Sequence, residues 1–350
     1  TGGVAYLTKH YCLPFITLQW ILLHIIFFFY SKTTSRKKVL NNAVIGYLIF
    51  IGICSIWISI LSSKYGEFTL TTQTAHNFQI VQPGPPPSYG LIPPPDETAV
   101  SIWEDPYARI KKISWTPFNS TQDFIHWIKF FISTVPPAIK IYYHISPLAF
   151  LVCLLYLLYS LFKPKIFFEN RKIIYSFLTI ILFTTGYCFI RIDERYLWPV
   201  IFLYIIISIH ILCLFFDKFI PIKPIRMLLI LMFVLSFWMH SANGLIKSFE
   251  NGKEIYLLSN KIKPHIEQGS RLASNGKFYS TLFIAFHCKL KYFGTTEQIS
   301  AERAKDEIQF YDIDYFITWG DPKKEKVIRD FKIVLSDNYK KSPFVLYKTP

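Results

Sequence analysis

A turn of mixed charge, residues 191–199, separates two long apolar runs of the sequence. Within it stand two arginines, two carboxylates and a tyrosine, in the order Arg191, Asp193, Glu194, Arg195 and Tyr196. Charges placed between membrane-length apolar runs cost free energy unless they pair, reach an interface or line a polar cavity. A plain connector would need only Asn, Gly or Ser. We therefore expect this turn to form the floor of a ligand site.

The chemistry that these side chains favour is the binding of a phosphate. Arginine forks match phosphate oxygens, and a neighbouring carboxylate can hold an arginine or move a proton. We predict that Arg191, Arg195 and Tyr196 bind the phosphate. Glu194 is a candidate catalytic residue, and we expect it to position Arg195 or Tyr196. The alternative interpretation is a self-neutralising ion-pair turn whose aromatic residues anchor it at a membrane interface.

Three residues elsewhere are further candidates. Lys9 follows a short apolar stretch, where a lysine either contacts a lipid-borne phosphate as a point charge or extends to the lipid headgroups. Trp103 and Asp105 stand on a loop flanked by proline, and an aromatic ring beside carboxylates suits the binding of a sugar or acceptor. The alternative for Trp103 is packing within the loop. Histidine and cysteine spacing and the absence of nucleotide-binding motifs predict neither a metal site nor a cofactor.

The scaffold that positions these residues has the composition of a membrane protein. The chain has 350 residues, of which 52% are hydrophobic and 18% aromatic, with a mean hydropathy of +0.31. Six runs predict membrane spans, at residues 13–30, 43–61, 141–162, 173–190, 198–216 and 227–239. The net charge of +15 comes largely from clusters of Lys and Arg beside these runs, which is typical of cytoplasmic loops rather than of nucleic-acid binding.

The basic clusters also predict an orientation and a domain division. They follow the first, third and fifth runs, so Lys9 and the 191–197 turn are expected together on the extracytoplasmic side. We predict a mainly α fold, a polytopic transmembrane bundle over residues 1–242 that includes a long extracytoplasmic loop at 63–140. A small soluble extracytoplasmic α/β domain is expected at 243–350. Its predicted strands are 270–274, 315–319, 333–335 and 344–347, and its predicted helices are 278–292 and 301–311.

Two short motifs resemble those of a known enzyme superfamily. Gly3-Val4-Ala5-Tyr6-Leu7-Thr8-Lys9 and Glu194-Arg195-Tyr196-Leu197-Trp198-Pro199 resemble passages of the polytopic GT-C glycosyltransferases. The similarity is to the protein O-mannosyltransferase and aminoarabinose transferase relatives, and it extends to the layout of spans and tail. The resemblance implies a multi-pass protein of the cell inner (plasma) membrane. It also implies transfer of a sugar from a polyprenyl-phosphate donor to a lipid, glycan or protein acceptor.

The resemblance also implies where the catalytic acid lies. GT-C enzymes carry it in their first extracytoplasmic loop, which would precede Thr1, so we expect this chain to be a C-terminal fragment. Two other classes of function stay open. A transporter or flippase of a lipid-linked glycan would use the same phosphate site without chemistry, and a membrane assembly protein would use the charged turn only for stability.

Overall fold

The protein, as a computed structural model, consists of two compact units. The first comprises residues 1–84 and 113–246, and the second comprises 85–112 and 247–350. The structure describes residues 2–30, 35–72, 77, 80–84, 89–109, 115–163, 170–249, 252–322, 325, 327–328, 330–339 and 342–350.

Helices build the described part of the first unit. In chain order they are α1 (Gly2–Thr8), α2 (Cys12–Tyr30), α3 (Arg36–Tyr65), α5 (Thr121–Ile145), α6 (Pro147–Phe162), α7 (Arg171–Cys188), α8 (Glu194–Phe219) and α9 (Lys223–Ser248), α4 belonging to the second unit. Their main core combines buried side chains of α5, α6, α7, α8 and α9, among them Ala149, Ile173 and Leu197, each fully buried. Tyr6 of α1 packs separately against α3.

Four of these helices, within the described residues, are long and apolar enough to cross a membrane. They are α2, α3, α8 and α9, and the number rises to five if α5 and α6 form one broken span. The protein is therefore a mainly helical chain of the membrane type with a small mixed sheet. The predicted run 173–190 corresponds to α7, whose apolar part Lys172–Cys188 is shorter than the other four. Six spans remain a prediction.

The predicted third run, 141–162, is not one continuous helix. The helix is interrupted at Ser146, and the axes of α5 and α6 differ by 116°. Ser146 has an extended backbone (φ −159°, ψ 106°) and its hydroxyl accepts from the amide of Ala149, which caps α6. Proline disfavours a helical conformation in the residue before it and fits the first position of a helix. Pro147 therefore explains both the end of α5 and the start of α6.

The second unit is an α/β domain around a five-stranded sheet. Its strands are β1 (Arg271–Ser274), β2 (Lys291–Thr295), β3 (Tyr315–Trp319), β4 (Lys332–Tyr339) and β5 (Ser342–Lys348), in the spatial order β2-β1-β3-β5-β4. The β2-β1-β3 pairs are parallel and the β3-β5-β4 pairs antiparallel. The described helices are α4 (Pro106–Arg109), α10 (Lys253–Ile262), α11 (Phe278–Cys288) and α12 (Ala301–Phe310).

The four strands predicted in the tail are confirmed, but the helix predicted at 278–292 is too long. It ends at Cys288 because Lys289 takes a left-handed backbone with φ 58°. The next residues form β2, which the sequence did not predict, and Tyr292 is fully buried within it. The parallel pairing with β1, across the intervening helix, stabilises this strand.

The loop segment 85–112 differs in its placement from the predicted division, which grouped it with the bundle. The structure places it in the second unit, and residues 92 and 100 of its described part, 89–109, hydrogen-bond to β2. The amide of Ile92 donates to the carbonyl of Phe293 at 2.7 Å, and the amide of Tyr292 donates to that of Val100 at 2.7 Å. Backbone hydrogen bonds of this kind extend the sheet at its edge.

Candidate functional site

A cavity of about 730 Å³ lies within the first unit, at the turn between α1 and α2. The C-terminal end of α7, the following turn and the first turn of α8 close it from the other side. Its described lining residues are Lys9, His10, Tyr11, Leu13, Pro14, Leu70, Thr71, Asn77, Tyr187, Ile190, Arg191 and Tyr196. The structure thus brings together three of the predicted phosphate ligands, Lys9, Arg191 and Tyr196, from distant parts of the sequence.

Lys9 lies against aromatic rings rather than against a carboxylate. Its ammonium is 4.2 Å from the ring centroid of Tyr196 and 5.3 Å from that of Tyr187. These two rings stack with centroids 5.2 Å apart and planes 8° apart. Burial lowers the pKa of Lys9, and the nearby positive charge of Arg195 lowers it further, whereas Cys12 and Asp193 act in the opposite direction. The ring faces supply the attraction that a carboxylate would otherwise give.

Two cationic side chains, Lys9 and Arg191, line this cavity. Arg191 is exposed at its edge and forms no ion pair with any residue that the structure describes. The buried hydroxyl of Tyr187 likewise has no hydrogen-bond partner within the described ranges. No Asp or Glu occurs among the described lining residues. Cationic side chains without any Asp or Glu among the described lining residues are complementary to an anion.

His10 forms a neutral part of the cavity wall. The indole Nε1 of Trp57, which can only donate, lies 3.3 Å from His10 Nε2. The proton of a neutral ring is therefore on Nδ1, which lies 3.0 Å from Thr71 Oγ1. Burial lowers the pKa of His10, which agrees with this neutral form. The two hydrogen bonds connect the α1–α2 turn to α3 and to the segment after it.

Tyr11 lines the cavity and packs against Tyr187, one ring of the Tyr187–Tyr196 pair. Its hydroxyl donates to the carbonyl of Phe183 at 2.8 Å, and its ring centroid is 4.0 Å from that of Tyr187. Gly186 of α7 makes this approach possible, because a Cβ there would overlap the Tyr11 hydroxyl. The sequence reasoning missed Tyr11, His10, Tyr187 and Gly186. The only signal for the tyrosines was their position at the ends of apolar runs, which equally indicates interfacial anchors.

Arg195 was predicted to bind the phosphate, but it is not among the described lining residues. Its Nε lies 3.3 Å from Asp193 Oδ2, and its side chain is 64% exposed. Its Nη2 donates to the Tyr196 hydroxyl at 3.3 Å, and the guanidinium lies 5.0 Å from the Tyr196 ring centroid. Arg195 therefore supports Tyr196 from outside the cavity.

Glu194 was predicted to position Arg195 or Tyr196, and Asp193 does so for Arg195 instead. Asp193 has an extended backbone and caps α8 by accepting from the Arg195 amide at 3.2 Å. Glu194 is the first residue of α8, and its Oε2 lies 3.4 Å from His240 Nε2 of α9. It is not among the described lining residues, so the structure does not bring this candidate catalytic carboxylate to the cavity.

Trp103 and Asp105, the predicted sugar or acceptor residues, belong to the second unit, whereas every described lining residue of the cavity belongs to the first. Trp103 lies in a 3-10 turn, Ile102–Glu104, that Ser101 and Glu104 cap reciprocally. Its ring is 38% exposed and lies edge-on to Phe278, with centroids 6.0 Å apart. Asp105 ends that turn.

A metal site is not found among the described residues, where no three His, Cys, Asp or Glu side chains are placed to share an ion. No protein-family model and no curated protein matches the sequence.

Proposed function

We propose that the protein is a membrane glycosyltransferase that moves a sugar from a polyprenyl-phosphate donor to a lipid, glycan or protein acceptor. In this proposal the cavity at the α1–α2 turn binds the donor phosphate. The observation that carries it is the convergence of Lys9 and Arg191, far apart in the sequence, on one cavity without a described carboxylate. Two cations that have no carboxylate partner are stabilised when an anion enters the cavity.

The aromatic contacts of Lys9 suit an exchange of partners. A cation–π contact contributes about 0.5–2 kcal/mol, and a hydrogen bond to a charged group contributes about 1.5–3 kcal/mol. Lys9 therefore gains when it turns from the rings of Tyr187 and Tyr196 to a phosphate oxygen. Arg191, exposed at the same cavity, adds a forked donor.

The membrane-type helices support a lipid-borne donor. The polyprenyl chain of such a donor needs a bilayer, and α2 and α8, which contribute to the cavity, are both of membrane-spanning length. We place the cavity and the second unit on the extracytoplasmic side of the inner (plasma) membrane, on the strength of the basic clusters. Holding donor and acceptor together supplies much of the rate in such transfers.

A transporter of a lipid-linked glycan is the second candidate function. The 116° break between α5 and α6 is a feature that transporters often have, although neither helix contributes a described residue to the phosphate cavity. A transporter would use the same phosphate cavity and release its ligand unchanged.

A transfer assay on the full-length protein in detergent separates the two candidates, because detergent removes the two sides that transport needs. Radiolabelled polyprenyl-phosphate sugars are incubated with and without acceptor lipid. We expect labelled acceptor with the wild type, and a loss of about 10- to 100-fold for Lys9→Met and for Arg191→Met, each of which removes one charged contact.

Lys37→Met is the matched control, since it removes an exposed cation at the start of α3, on the side predicted to be cytoplasmic. Its activity should equal that of the wild type. Binding of the donor without any labelled acceptor would contradict the transferase proposal and favour the transporter.

A further inference from the structure

The first unit contains another cavity, of about 580 Å³, that shares no described lining residue with the phosphate cavity. Residues of α6, α8 and α9 line it, together with Asn170 just before α7. Leu, Val, Ile and Phe side chains make up most of the wall. An apolar cavity between membrane-type helices is suited to a hydrocarbon chain, because lipid is the solvent that surrounds such helices.

The length of this cavity matches one leaflet of a bilayer. Its lining on α6 extends from Leu148 to Tyr159. At 1.5 Å per residue this is about 16 Å of helix, which is close to half of the hydrocarbon thickness of about 30 Å. A single acyl chain from one leaflet therefore has the right reach.

One end of the cavity is polar and basic. Tyr159, Asn170 and Lys218 lie where α6 and α8 end and α7 begins, and the Lys218 ammonium donates to the Tyr159 hydroxyl at 3.1 Å. The ammonium of Lys163, which is not itself a lining residue, lies 5.8 Å from the Tyr159 ring centroid. The neighbouring carboxylate, Asp217, is not among the lining residues and pairs with Arg226 at 3.3 Å.

We propose that this cavity binds an anionic glycerophospholipid of the cytoplasmic leaflet, with one acyl chain in the apolar wall and the phosphate on Lys218 and Lys163. Basic pockets between transmembrane helices on the cytoplasmic side recognise anionic headgroups in this way. The basic clusters place the loops that follow α6 and α8 on that side. The bound lipid joins α6, α8 and α9 at the end of the bundle that carries no donor phosphate.

Native mass spectrometry of the full-length protein tests the proposal, with dioleoyl-phosphatidylglycerol and dioleoyl-phosphatidylcholine as probes. The wild type should retain the anionic lipid in preference to the zwitterionic one. Lys218→Met and Lys163→Met should each reduce this preference by about fivefold, because each lysine near an anionic headgroup contributes an attraction of that order. Leu155→Trp, at a half-exposed position of the wall, should reduce retention of both lipids by filling the cavity.

Lys223→Met is the matched control, since it removes an exposed lysine at the start of α9 that neither lines the cavity nor contacts Tyr159. It should keep the wild-type preference. Equal retention of the two lipids by the wild type, or unchanged retention by Leu155→Trp, would overturn the proposal. A third result would also overturn it: polyprenyl phosphate displaces the anionic lipid from the wild type but no longer does so from Leu155→Trp. The cavity would then hold the sugar carrier instead. The first two of these results do not bear on sugar transfer.

Discussion

At the scale of single residues, Lys9 shows how the site holds a positive charge without a carboxylate partner. Its ammonium contacts the stacked rings of Tyr196 and Tyr187, and burial lowers its pKa without a carboxylate beside it in the cavity. A carboxylate partner would have to be displaced before a phosphate could bind. Ring faces hold the lysine more weakly, so the cation is kept in place and yet is available to an anion.

His10 gives the protein a pH dependence that can be measured. Its ordinary pKa is 6.5, and burial lowers the pKa in the folded state. Below pH 6.5 the unfolded chain therefore binds the proton more readily than the folded one, so stability falls as the pH decreases toward the folded pKa. We expect the thermal midpoint of the wild type to fall from neutral pH to about pH 5, and more steeply than that of His10→Asn.

The control for this measurement is His265→Asn, which alters an exposed histidine outside the membrane-type helices. It should keep the wild-type slope. Equal slopes for the wild type and His10→Asn would mean that the hydrogen bonds from Trp57 and to Thr71 do not hold His10 in its neutral form.

The sequence predicted part of the site at this scale. Arg191, Tyr196 and Lys9 were recognisable because charges beside long apolar runs need a structural reason. Arg195 and Glu194 are charged residues of the same turn as Arg191, and the sequence offered no way to tell that only Arg191 lines the cavity. Their directions are decided where α8 begins, since Asp193 caps the helix and holds Arg195 while Glu194 faces His240.

At the scale of elements, the close approach of the α1–α2 turn to α7 decides whether the cavity exists. Gly186 allows it, because the hydroxyl of Tyr11 occupies the space of a Cβ. Gly186→Ala should force the turn away from α7 and lower the free energy of unfolding by about 1–3 kcal/mol, the usual cost of overpacking. Denaturation of the purified variant, followed by tryptophan fluorescence, measures this.

Gly52 of α3 provides the comparison, because nothing lies within 4 Å of the place where its Cβ would be. Gly52→Ala should be neutral or stabilising by up to about 1 kcal/mol, since alanine is the better helix former. If both variants had the same stability, the contact between Tyr11 and Gly186 would not be important for the fold.

Helices and strands with strong local patterns were predictable, and two features were not. The run 141–162 is apolar throughout, so its composition concealed the break at Ser146, although Pro147 was a local signal for it. β2 was missed because the predicted helix was extended through residues 289–292, where Leu290 and Tyr292 alternate with two lysines. Its partner is β1, on the other side of that helix, and pairing over such a distance leaves no local mark.

At the scale of the whole molecule, the chain is two units with different physical characters. One is built of membrane-type helices and the other is a small α/β domain. The sequence located this change of character in the tail. It did not predict that 85–112 belongs with the tail, because the hydrogen bonds that hold this segment join residues far apart in the chain, such as Ile92 and Phe293.

The central claim is that Lys9 and Arg191 together bind a lipid-borne phosphate. Its most direct test is the affinity of the purified full-length protein for polyprenyl monophosphate, measured beside the uncharged polyprenol. We expect the wild type to prefer the phosphate by at least about tenfold, the effect of one charged contact, and Lys9→Met with Arg191→Met to abolish the preference. Equal affinity of the wild type for the two lipids would contradict the claim.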